Sequence, residues 1–215
     1  MAIRKDNGYQ RKERGNSKRK QKRIILIAAE GRNRTETNYF KSWNSDEYRI
    51  AFVKNEYTDP VNMMNALDKD FKAKGLSHKN GDMGFCLVDH DCQSSKDELI
   101  MKADKIANKK NLKLLVSNPC FELWYLCHFI RSTRQYSSSS AVVEELKRYY
   151  PQYKKEDDSI VEAVREKTGV AIENAKFIEK HCLENGYENR TATFQPSTEI
   201  YKLLEMLKSF KERST

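Results

Sequence analysis

The chain has 215 residues, enough for one full-sized domain or a domain with an appendage, and a core of that size needs no staples. Lys and Arg number 40 against 31 Asp and Glu, giving a net charge of +9, and ten Lys/Arg against two Asp/Glu place eight of those charges within residues 1–23. Five cysteines with no CxxC pair argue against a disulfide framework and for a reduced, cytoplasmic compartment, and no apolar run reaches the roughly 20 residues of a membrane span.

Residues 1–23 hold almost no apolar side chains, so the reading is a basic disordered arm. Its Arg14, Lys18, Arg19 and Lys20 suit a phosphate backbone, with affinity from counterion release, or an acidic partner surface; a solvated tail is the plain alternative. No secretory signal is read there, since no apolar region follows the basic residues before Ile24.

The first strand is the apolar run Ile24 to Ala29, which stops at Glu30-Gly31. A helix over Arg32 to Trp43 follows, with Tyr39, Phe40 and Trp43 as its buried stripe, then strand composition from Tyr48 to Val53. Pro60 opens a helix that runs to Lys74 with Val61, Met64, Leu67 and Phe71 at helical spacing; Gly75 to Asp82 is loop. Gly84 to Val88 is a third strand ending in Asp89-His90-Asp91. A polar helix spans Ser94 to Lys110, with Leu99, Ala103, Ile106 and Ala107 on one face, and Leu112 to Val116 is the fourth strand. The order β-α-β-α-β-α-β predicts an α/β fold: a mainly parallel four-stranded sheet with crossover helices on its faces.

Helical periodicity then takes over. Asn118 is expected as N-cap and Pro119 as first residue of a helix reaching Ile130. Ser137 to Ser140 precede a helix over Ala141 to Tyr150, one or two helices span Ile160 to Cys182, Gly186 to Gln195 is polar loop, and Pro196 to Phe210 forms the last helix. The chain thus divides into the arm at 1–23, an α/β domain at 24–130 and a C-terminal helical extension at 131–215 packed on it.

In a parallel sheet Glu30, Asp89 and Asp91 all reach the carboxyl edge, where open α/β sheets bind ligands. Extended backbone through Asp89 and Asp91 would set both carboxylates on one face. Three hard oxygen donors suit Mg²⁺ or Mn²⁺, with water and substrate phosphate completing the octahedron, so metal-assisted phosphodiester cleavage or phosphoryl transfer is the chemistry expected of Glu30, Asp89 and Asp91. Taken singly, an acid at a strand end is ordinary loop chemistry. Asn118 and Glu122 begin a helix beside that edge, whose free N–H groups favour phosphate. His128 lies about 240° round the helix from Glu122 and is read as a satisfied core histidine. His90 and Cys92 alternate with the two aspartates and cannot converge with them on one tetrahedral zinc. Lys154, Lys155 and Arg190 are candidate phosphate contacts, with solvated surface as the plain alternative, as are Arg32 and Arg34 in the turn after Glu30. No Walker sequence, glycine-rich phosphate loop or nucleophilic triad is present, which excludes an ATPase or a protease of those kinds.

Strand-Glu-Gly-helix followed two strands later by strand-Asp-x-Asp resembles the Toprim domain of topoisomerases, primases and nucleases. More closely, EGRNRTETNYF, FCLVDHD, SNPCFELWYLCHF and FQPSTEIYKLLEML resemble the RloB-like family of bacterial defence proteins, from Glu30 to Leu207. The resemblance implies Glu30 as general acid/base or metal ligand, Asp89 and Asp91 as metal ligands, and Gly31, Thr35 and Glu36 as supporting residues. The turn after Gly31 is one residue longer than the usual form and lacks the extra acid frequent in Toprim nucleases. It further implies antiviral defence beside a separate ATPase. The expected function is therefore a Mg²⁺- or Mn²⁺-dependent nuclease acting on DNA or RNA. The alternatives are a non-catalytic subunit that binds nucleic acid or the ATPase, and a nucleotide phosphohydrolase or nucleotidyl transferase. The helical half also offers faces for a homo-oligomer.

Overall fold

The computed structural model describes residues 22–30, 35–54, 57–155 and 158–212. Four parallel strands, β1 (Arg23–Ala28), β2 (Tyr48–Phe52), β3 (Met83–Asp89) and β4 (Lys113–Asn118), form from the expected apolar runs. A fifth strand, β5 (Ser197–Thr198), pairs antiparallel with the end of β4, so the sheet is five-stranded rather than four-stranded, in the order β2-β1-β3-β4-β5. Two polar residues carry no periodicity, which is why this segment reads as helix start from sequence.

Alternation along the strands fixes two layers. Ile25, Ile27, Phe85, Leu87 and Leu115 point into one core, Leu26, Ala28, Cys86, Val88, Leu114 and Val116 into the other. Helix α2 (Pro60–Ala73) starts at Pro60 behind the N-cap Asp59, whose Oδ1 accepts from Asn62 N at 2.8 Å, and buries Met63, Met64, Leu67 and Phe71. It shares the second core with α3 (Asp97–Lys110), which buries Ile100, Ala103 and Ala107; Leu99 lies only partly inside, so the buried stripe is turned by one residue from expectation. A single 3₁₀ turn, Ser94–Lys96, leads into it. Each fully buried aliphatic side chain stabilises the fold by about 1.5–3 kcal/mol.

The first core is covered by α1 (Thr35–Lys41), α4 (Glu122–Cys127), α6 (Ser159–Val164), α7 (Thr168–Glu184) and α8 (Ile200–Glu212), with Leu146 of α5 (Ser139–Tyr149) joining it. Tyr39, Phe40, Phe121, Trp124 and Tyr125 meet there edge to face, so the C-terminal helices and the sheet share one hydrophobic interior. Ser138 caps α5, its Oγ accepting from Ala141 N.

Two expectations around β4 are corrected. Asn118 is the last residue of β4, not a helix N-cap, and Pro119 follows a cis peptide instead of opening the helix. The helix itself is six residues, Glu122–Cys127, and no side chain caps it, so no long helix start faces the acidic edge. The last helix begins at Ile200, after β5, and not at Pro196.

Candidate active site

From β1 the chain moves outward to β2, and from β3 outward the other way to β4, so the strand order reverses between β1 and β3. That reversal opens a crevice at the carboxyl edge, the place where open α/β sheets receive ligands. With Ala28 level with Cys86, Glu30 comes to the end of β3, and its Oε2 accepts from Asp89 N at 3.3 Å. Burial holds the Glu30 carboxyl above its usual range, with Asp91 adding to the rise and Lys96 opposing it.

Asp91 does not continue the strand. It and Cys92 adopt left-handed backbone, φ 58° and 56°, so Asp89 and Asp91 do not share a face by strand alternation. The turn is fixed by Asp91 N donating to Pro119 O at 2.8 Å and Cys92 N to Asn118 Oδ1 at 3.3 Å. What ties the acids together is Lys96. Its ammonium donates to Asp91 Oδ2 at 2.7 Å and to the carbonyl of Asp89 at 2.8 Å, and lies 3.6 Å from Glu30 Oε1. Ser139 Oγ donates to the other Asp91 oxygen at 2.9 Å. Burial pulls the Lys96 proton affinity down, but the bond to Asp91 and the fields of Glu30, Asp91 and Asp89 outweigh it and leave it raised.

Behind this pair lie two more acids. Glu36 is 2% exposed, and its Oε2 has no hydrogen-bond partner among the described residues. Burial first, then the fields of Glu122 and Glu30, push its carboxyl up to about 8. Glu122, equally buried, accepts from Tyr153 Oη at 3.0 Å and lies 3.5 Å from the Lys155 ammonium. Thr35 Oγ1 donates to the Lys155 carbonyl at 3.1 Å and pins that segment against α1. Burial and the fields of Glu36, Glu122, Glu30 and Asp91 raise Asp89 well above its usual range. Five carboxyl groups thus crowd one edge against two ammonium groups, and the crowding raises the proton affinity of Glu30, Glu36 and Asp89, a repulsion that a hard divalent cation would relieve.

The donor set is all oxygen, as Mg²⁺ or Mn²⁺ requires, and Lys96 already sits as a cation on oxygens of Glu30, Asp89 and Asp91. Among the described residues no three His, Cys, Asp or Glu side chains stand close enough together to close a metal site as they lie. The chemistry of these residues fits the ion; their present spacing is the one that seats an ammonium.

The remaining candidates have other tasks. Asn118 Nδ2 donates to the carbonyls of Thr191, Ala192 and Phe194, which clamps the 191–194 loop to the end of β4. Arg190, read as a phosphate contact, is engaged inside the fold: its guanidinium pairs with Asp104 and Glu199 and donates to Leu114 O. Lys154 is exposed on the segment that carries Lys155. His128 is buried with Nδ1 2.9 Å from Trp124 O, and burial lowers it to about 4, which keeps it neutral near pH 7. His90 Nε2 meets Asp97 Oδ1 at 2.9 Å, and Asp97 Oδ1 also accepts from Ala192 N. Gly31, Arg32, Arg34, Arg14, Lys18, Arg19 and Lys20 lie outside the described residues.

Sequence reading missed Lys96, Ser139 and Tyr153, all of which touch the acidic cluster; Lys155, read only as a phosphate contact, touches it through Glu122. No local pattern marks them, because each comes to the cluster through a turn or a chain reversal. The profile of the RloB-like protein family matches residues 25–207 of the chain. No curated protein and no solved structure matches it.

Proposed function

The chain belongs to the RloB-like family, and from its acidic crevice we propose that it is a metal-dependent nuclease cleaving phosphodiester bonds of DNA or RNA. One observation carries the reading: carboxylate oxygens of Glu30 and Asp91 and the carbonyl of Asp89 meet around a single cationic group at the strand-order reversal, with the buried acids Glu36 and Glu122 behind them. Glu30, Asp89 and Asp91 are the residues that would hold Mg²⁺ or Mn²⁺. When bound, the ion supplies charge neutralisation at the phosphate and an activated water at neutral pH. Glu30, whose proton affinity is raised, suits exchange of a proton with the reacting oxygen. Lys155, half-exposed at the rim, suits a contact with substrate phosphate. A Toprim-type assignment, a role in antiviral defence and work beside a separate ATPase rest on the resemblance of the motifs.

The test is gel-resolved cleavage of labelled tRNA, single-stranded and duplex substrates, with Mn²⁺ or Mg²⁺ against chelator. Cleavage abolished by chelator supports the reading, and no cleavage of any substrate with either metal, alone or with the ATPase, refutes it. A second reading, a non-catalytic subunit that binds nucleic acid or the ATPase, is favoured by the ammonium of Lys96 seated among the acids. It predicts that Asp89→Ala keeps biological activity while removal of residues 1–23 abolishes it.

A further inference from the structure

We propose that Lys96 is a placeholder cation: its ammonium and a divalent metal ion compete for one cage of oxygens, so the site loads metal only when Lys96 withdraws. The inference rests on the metal-dependent reading above. Three features of the cage support it.

The first is its composition. Lys96 Nζ is held by a carboxylate oxygen of Asp91 at 2.7 Å, the carbonyl of Asp89 at 2.8 Å and a carboxylate oxygen of Glu30 at 3.6 Å. Two carboxylates and a carbonyl are what a hard divalent cation takes from a protein, and here a side chain of charge +1 takes them instead. The second is how the cage is supported without the lysine. Asp91 Oδ1 accepts from Ser139 Oγ, Asp91 N donates to Pro119 O, and Glu30 Oε2 accepts from Asp89 N, so both acids stay at the crevice when the ammonium leaves. The third is the lysine's own attachment. Its backbone is fixed in the turn before α3, with Lys96 N donating to Gln93 O at 2.8 Å, while the flexible four-carbon stem lets the head move alone. A lysine with only a structural pairing role would make the opposite prediction, because its removal would loosen the acids and weaken metal binding.

Calorimetric titration of the full chain with Mn²⁺ separates the two. Lys96→Met is expected to bind Mn²⁺ at least tenfold tighter than wild type, and Lys96→Arg, which keeps the charge, no tighter. Equal or weaker binding by Lys96→Met overturns the inference alone. Absence of Mn²⁺ binding in wild type and both variants overturns it together with the metal-dependent reading, so the two failures are distinct. A measurement on the wild-type chain guards against a variant that does not fold. The side chain of Lys96 is only 14% exposed, so acetic anhydride labelling read by mass spectrometry should mark it several-fold faster once Mn²⁺ saturates the site. Unchanged labelling at saturating Mn²⁺ overturns the proposal.

Discussion

Glu36→Gln should stabilise the chain, and by an amount that grows with pH. Glu36 is 2% exposed, one of its oxygens has no partner among the described residues, and Glu122 and Glu30 face it, so the native state keeps its proton up to about 8. In the unfolded chain the proton leaves near the ordinary value of 4.5. A carboxyl raised in the native state binds more protons there than in the unfolded chain, so stability falls as pH rises from the lower value to the higher. At 1.36 kcal/mol per pH unit the full loss is about 5 kcal/mol, of which about 3 kcal/mol is reached by pH 7. Glutamine has nearly the same shape and does not titrate, so it removes this loss. Urea unfolding of both proteins in chelator, from pH 4 to 9, should give curves that coincide near pH 4 and diverge steadily to pH 8. Curves that stay parallel across the range would refute the reasoning, because they would mean that Glu36 is ionised in the folded chain.

Three further outcomes follow from the same geometry. Arg190→Ala takes the guanidinium from the buried Glu199, which keeps Lys202, and from the partly exposed Asp104, and should cost about 1–3 kcal/mol by urea unfolding, with faster hydrogen exchange across residues 191–199. Arg190→Lys should rescue only part of this, since an ammonium cannot serve Asp104, Glu199 and Leu114 O in one plane. Tyr153→Phe removes the hydroxyl that donates to Glu122 and should cost about 1–2 kcal/mol in the same assay. Removing residues 1–21, with eight Lys/Arg and two Asp/Glu, should leave the melting temperature unchanged while flattening the salt dependence of nucleic-acid binding by several units of log K per log salt; an unchanged slope would mean that the arm does not touch phosphates.

The sheet was legible because its strands are apolar runs bounded by charge, as in Ile24 to Ala29 and Gly84 to Val88, and buried parallel strands need that composition. Glu30 and Asp89 were legible for the same reason: a carboxylate at the end of such a run must lie at the carboxyl edge. Asp91 lies at the expected edge but not by strand alternation, since its left-handed turn depends on Pro119 and Asn118, 28 and 27 residues on, and has no local signature. Lys96 sits in a polar stretch, Gln93 to Glu98, that reads as an exposed helix start, yet the tight turn into α3 folds it back onto the cluster. Tyr153 and Lys155 arrive from beyond α5 through tertiary packing alone. The helix after β4 is shorter at both ends than the sequence suggests because its apolar composition continues into flanking residues that pack in the core outside the helix, Pro119 to Phe121 and Phe129 to Ile130.

The central claim is that the carboxylates at the β1–β3 crevice carry the reaction. Single-turnover cleavage of the best substrate with saturating Mn²⁺, comparing wild type with Asp89→Asn and Glu30→Gln, tests it most directly. The prediction is a loss in rate of at least about a hundredfold in each variant, with substrate affinity changed little, since a positioned acid–base group contributes on the order of 10²–10⁴. Wild-type rates in both variants would place the chemistry elsewhere in the chain and contradict the account.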